Sequence, residues 1–188
     1  MNQIKGLFFD LDGTLVNTYE ADYFAYRDAI IEVVGVEVNR DSFAKTHGQE
    51  AKQKLDLLAP GLSDEDVDRV RLAKKKHYPK YLHHTVANET LVSFLRDMAQ
   101  HHVIAMVTTA KSHNAEAVLE AHRLNDLFEI KVYGDDVTYA KPDPEGYLIA
   151  LERSGLQASE VIAFEDSQSG LDAARAAGLA TMHIRSFQ

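Results

Sequence analysis

From residue 88 onward, short apolar runs alternate with stretches of helical periodicity, and no other feature constrains the fold of this chain so tightly. The spacing predicts helices over 88–100, 112–122, 144–154 and 168–177, separated by strands over 103–107, 130–133, 161–164 and 181–184. One more strand precedes them. Leu7, Phe8 and Phe9 form the continuous apolar run of a strand covered on both faces. Alternating β and α units join by right-handed crossovers, which makes the sheet parallel and places helices on both of its faces. Between the first strand and the rest, residues 18–82 give no strand signal. Tyr23, Tyr26, Ile30 and Val34 recur at helical spacing, Leu55, Leu58 and Val67 sit in further helical stretches, and Gly35, Gly48 and Pro60-Gly61 punctuate them. The expectation is an α/β core made of residues 1–16 and 85–188, with a helical domain of residues 17–84 inserted after the first strand.

At 188 residues, the chain can bury one good core and carry a small second lobe. Its formal charge of −9, with no basic stripe to offset it, argues against a general binder of nucleic acid or anionic membrane. The run Lys74-Lys75-Lys76 follows the acids Asp64-Glu65-Asp66 and reads as a solvated helix face. The absence of cysteine removes disulfides, thiolate catalysis and thiolate-bound zinc together, and fits a reducing compartment. No apolar span approaches the roughly 20 residues of a membrane helix, and Met1 opens no basic-then-apolar leader. A cytoplasmic, soluble, monomeric protein is expected.

Parallel α/β sheets bind ligands beyond the carboxyl ends of their strands, near the point where strand order reverses. Four predicted strand ends carry polar groups: Asp10 and Asp12, Thr108 and Thr109, Asp135 and Asp136, and Glu165 with Asp166. Lys141-Pro142 adds a basic residue in a loop before a helix. Carboxylates are costly to bury without a partner. Gathered from separate strands beside a lysine and a hydroxyl, they suit Mg²⁺, which takes one or two carboxylates, several waters and a phosphate oxygen.

FDLDGTLVNT followed by a helical insert, then MVTTAK, AKPDPEGY and FEDSQSG, resembles the haloacid dehalogenase superfamily, in the subgroup of β-phosphoglucomutase and small sugar-phosphate phosphatases. The likeness spans nearly the whole chain. It implies a Rossmann-like core with strand order 3-2-1-4-5 among the five strands and a helical cap that closes over the site. It also implies a Mg²⁺-dependent hydrolase of phosphomonoesters that acts on a small phosphorylated metabolite. By the same resemblance Asp10 is the nucleophile that becomes an aspartyl-phosphate, and Asp12 the general acid and base that also offers its backbone carbonyl to the metal. Thr108, with Thr109 beside it, grips a phosphate oxygen, and Lys141 neutralises the phosphoryl oxygens and Asp10. Asp166 is an acidic metal ligand alongside Asp10, and Glu165 stands behind it or reaches the ion through water.

Some readings stay open at the level of residues. Thr14 either holds the loop after the strand or serves structure alone, and Asp135 and Asp136 are turn caps or site walls. The nine histidines lack the spacing of a helical metal site and read as solvated or hinge residues. His47 is the exception: in KTHGQEAK it falls where related caps present a loop to the leaving group, as do Gln49 and Lys52. VANETLVSFL replaces the usual Pro-Gly of the family, so Asn88 is expected to cap the next helix. The alternatives to a phosphatase are a phosphosugar mutase using the same residues and a noncatalytic phosphate sensor. A dehalogenase is disfavoured, since those relatives work without metal and lack the second acid.

Overall fold

The computed structural model describes residues 3–46, 51–185 and 187. In chain order it begins with β1 (Gly6–Phe9) and the short β2 (Val16–Asn17). Four helices follow: α1 (Tyr19–Val34), α2 (Arg40–Ala44), α3 (Ala51–Leu58) and α4 (Asp64–His77), with a 3₁₀ segment over Tyr78–His84. Then come β3 (Val86–Ala87), α5 (Glu89–Met98), β4 (Val103–Val107), α6 (Ser112–Ala121) and β5 (Ile130–Val132). The chain finishes through α7 (Glu145–Ser154), β6 (Val161–Glu165), α8 (Gln168–Ala176) and β7 (Ala180–His183). It divides into two compact units, Met1–Asn17 with Val86–Gln188, and Thr18–Thr85.

The first unit holds a five-stranded parallel sheet in the order β5-β4-β1-β6-β7. Numbered among themselves the five strands run 3-2-1-4-5. β1 is central because its four residues are apolar on both pleats and all buried. Phe8 joins the cluster of Ala105, Val107, Tyr147 and Ala163, while the Phe9 ring stacks on Phe164 at 4.5 Å between centroids. Phe9 pairs with Met106 on one side and Phe164 on the other, so the next residue, Asp10, arrives level with Val107 and Glu165. Strand order reverses around β1, and the polar strand ends meet there. Asn88 caps α5, accepting a hydrogen bond from the Leu91 N–H at 3.1 Å. No sequence pattern marks β2 and β3, which pair antiparallel as Val16 with Ala87 and Asn17 with Val86. Two-residue strands have no periodicity to read.

The second unit is helical and has a core of its own, built from Tyr23, Tyr26, Ile30, Phe43, Leu55 and Val70. Ser63 caps α4 by accepting from the Asp66 N–H, and the three acids in the first turn and the basic last turn both suit the helix dipole. One expectation fails here. Lys75 and Lys76 are exposed, but Lys74 turns inward to an ion pair of 2.8 Å with Asp22 on α1 and lies 4.0 Å from the Tyr78 ring centre. Tyr78 and Asp22 make that position part of the interior, not of a solvated face.

Candidate active site

Asp10 leaves the end of β1 almost fully buried, with its N–H bonded to the Phe164 carbonyl. The turn behind it needs Gly13. That residue has φ of +90°, and a Cβ there would come within 2.2 Å of the Asp166 carboxylate. Thr14 is fully buried and donates through Oγ1 to Asp166 Oδ1 at 3.2 Å, which makes it the holder of an acid as well as of the loop.

Lys141 reaches this point from the loop before α7. Its Nζ lies 2.7 Å from Asp10 Oδ1, 2.6 Å from Glu165 Oε1 and 2.8 Å from the Val107 carbonyl. An ammonium has three N–H donors, and all three are used. Tyr147, in the first turns of α7, donates its phenol to the same Glu165 Oε1 at 2.5 Å. Glu165 Oε2 is buried with no hydrogen-bond partner. One oxygen from each of Asp10, Glu165 and Asp166 lies within 4.8 Å of the others, the only such group of candidate metal ligands among the described residues.

The site is short of positive charge. Burial raises the Asp10 carboxyl to about 7, with Glu165 and Asp12 adding to the rise and Lys141 opposing it. Burial likewise pushes Glu165 up against the pull of Lys141. Burial would lower the Lys141 ammonium, but Asp10 and Glu165 outweigh it and hold the charge in place. A lone buried carboxylate oxygen and an all-oxygen donor set fit a hard divalent cation.

Thr108 directly follows β4 and is buried, its hydroxyl accepting from the Ala110 N–H at 3.0 Å and donating to Asp12 Oδ2 at a long 3.4 Å. Thr109 next to it is exposed. From sequence, Glu165 is expected behind Asp166 or at the ion through water. In the structure its carboxylate stands in the same cluster as those of Asp10 and Asp166. Asp135 and Asp136 act as caps, accepting from the N–H groups of Ser112 and Tyr133. His47 and Gln49 lie outside the described residues, and Lys52 is exposed on α3. Tyr147 was not singled out from sequence. Its place inside AKPDPEGY, six residues after the lysine, was the only available signal.

The sequence model of the haloacid dehalogenase-like hydrolases matches residues 7–184. A phosphorylated carbohydrates phosphatase of Thermotoga maritima is 30% identical over 181 residues, covering 94% of this chain and 82% of that one. The fructose-1-phosphate phosphatase YqaB of Escherichia coli is 29% identical over 182 residues and 96% of both chains is covered. Among solved structures, CbbY from Rhodobacter sphaeroides in complex with phosphate superposes with a TM-score of 0.87 at 23% identity, over 98% of this chain and 88% of that one.

Proposed function

The chain belongs to the haloacid dehalogenase-like hydrolase family, and from that premise we propose that it is a Mg²⁺-dependent phosphomonoester hydrolase of the cytoplasm that acts on a small sugar phosphate through an aspartyl-phosphate on Asp10. The names of the two phosphatase relatives support the substrate class. The observation that carries the chemistry is Asp10 at the end of the central strand, 2.7 Å from Lys141 and clustered with Glu165 and Asp166.

In this reading a carboxylate oxygen of Asp10 bonds to phosphorus as the ester oxygen leaves, and Asp12 gives that oxygen its proton. Asp12 then takes a proton from the water that cleaves the acyl phosphate, which returns Asp10 to a carboxylate and releases inorganic phosphate. Lys141 and the Thr108 hydroxyl take the phosphoryl oxygens. For that, Lys141 exchanges one of its three present bonds for a phosphate oxygen. Asp10, Glu165 and Asp166, with the Asp12 carbonyl, would hold the cation. When bound it supplies the positive charge that lets the carboxylates and a phosphate dianion share the site. In this reading the unit Thr18–Thr85 is given the choice of leaving group.

Release of inorganic phosphate from sugar phosphates, nucleotides and phosphoglycolate tests the reading, with Mg²⁺ present and after exhaustive chelation. Turnover of a sugar phosphate that stops on chelation is expected, together with an acid-quenched phosphoryl adduct on the peptide containing Asp10 that Asp10→Asn abolishes. An adduct elsewhere, or full turnover without cation, overturns it. An isomeric sugar phosphate in place of free phosphate would make the protein a mutase.

A further inference from the structure

Tyr147 is fully buried in the apolar cluster under the sheet, where a phenylalanine would pack as well and leave no hydroxyl to satisfy. Its phenol goes to Glu165 Oε1, the oxygen that also takes the Lys141 ammonium. Two donors fill that oxygen and leave Oε2 the one with free lone pairs. The Lys141 ammonium also lies 5.4 Å from the centre of the Tyr147 ring, so one side chain touches both the acid and the cation that neutralises it.

Two glycines make room for this arrangement. At Gly146 the missing Cβ would lie 3.1 Å from Val107 Cγ1, so α7 approaches the sheet closely enough for the phenol to reach across. At Gly170 a Cβ would lie 2.0 Å from Glu165 Oε2, and only a glycine on α8 leaves that oxygen its place.

We propose that Tyr147 is a positioning residue of the cation site, fixing Glu165 through Oε1 so that Oε2 is presented as a ligand atom. This rests on the cation reading given above. Without the phenol the carboxylate is held at one oxygen by Lys141 alone, whose other two donors go to Asp10 and the Val107 carbonyl, and it turns more freely about that single bond. Cation binding then has to restore the position of Oε2.

Calorimetric titration with Mg²⁺, and with Mn²⁺ as a second probe, separates the possibilities. Tyr147→Phe keeps the ring and removes only the hydroxyl, and is expected to weaken cation binding by about 10-fold, the lower end of what loss of a group behind a metal ligand costs. KM for the phosphate ester should stay the same, and kcat should return at high Mg²⁺. A residue with only a structural part would lower the unfolding midpoint in chelator yet leave the Mg²⁺-induced rise in that midpoint unchanged. Gly170→Ala, which displaces Oε2 from the other side, is a second variant expected to weaken the cation without touching Tyr147. If the unaltered protein binds neither cation, the cation reading itself fails. If it binds and Tyr147→Phe binds within about 5-fold as tightly, only the part given to Tyr147 is lost.

Discussion

Asp10 and Asp12 are two residues apart, yet their surroundings differ. Asp10 is buried against Lys141, whereas Asp12 is only partly buried and meets the Thr108 hydroxyl at long range. A buried, lysine-held carboxylate suits a nucleophile in fixed line with phosphorus, and a more open one suits an acid that must exchange protons with water. Asp12→Asn should therefore slow the reaction about 10²- to 10⁴-fold, the usual worth of a general acid and base. With an aryl phosphate whose leaving group hardly needs a proton, the second step should suffer more than the first. Phosphoenzyme then accumulates, and rapid-quench mass spectrometry should find more of it than in the unaltered protein. Equal or lower adduct would remove Asp12 from the water step. These two acids, Glu165 and Asp166 stand out in the sequence because each interrupts or follows an apolar run, and Lys141 stands out through its Lys-Pro loop before a helix and the family resemblance. Tyr147 could not be. A tyrosine at an apolar position of a helix reads as core, and the destination of its hydroxyl is set by a residue 18 positions away on another strand.

Elements were legible in proportion to their length. The five strands of the parallel sheet carried short apolar runs and the helices between them a period, and their ends moved by one or two residues, as for the helix expected over 88–100 that runs Glu89–Met98. The β2–β3 ribbon carried none. The inward turn of Lys74 was hidden for another reason: three lysines in a row look alike, and only the packing of α4 on α1 chooses the one that faces Asp22. That pair is largely buried, with side-chain exposures of 11% for Lys74 and 22% for Asp22. Burial would raise the Asp22 carboxyl, but Lys74 and Lys54 outweigh it and hold it below its ordinary 3.8. Asp22→Asn should cost about 1–3 kcal/mol at neutral pH, less than a fully buried pair would because some water reaches the acid. The sign follows from a lowered folded-state value. The contribution is complete above 3.8 and fades as pH falls below it, when the folded carboxyl also takes its proton. Denaturant titrations of both proteins at pH 7, 5 and 3 check this. A difference at pH 3 as large as at pH 7 would show that the loss is one of packing and not of charge.

At the scale of the whole chain, the arrangement of the junctions is informative. The unit Thr18–Thr85 leaves and rejoins the α/β unit through β2 and β3, and their pairing puts Asn17 directly opposite Val86. A short glycine-serine link can therefore span the two ends with little change in the loop they close. Each unit also has an apolar cluster of its own, around Phe8 in one and Tyr23 in the other. Asp10, Asp12, Thr108, Lys141, Tyr147, Glu165 and Asp166 all belong to the α/β unit. If the inserted unit selects the leaving group while the α/β unit performs phosphoryl transfer, joining Asn17 to Val86 should separate the two properties. The shortened protein should fold, bind Mg²⁺ within an order of magnitude of the full chain, and still form an adduct on Asp10 from a small aryl phosphate. Its rates on different sugar phosphates should converge on one low value, since binding energy from the leaving group no longer reaches the transition state. Circular dichroism, calorimetry and a substrate panel measure these outcomes in turn. A shortened protein that still ranked sugar phosphates as the full chain does would place selection in the α/β unit and leave the insert without that part.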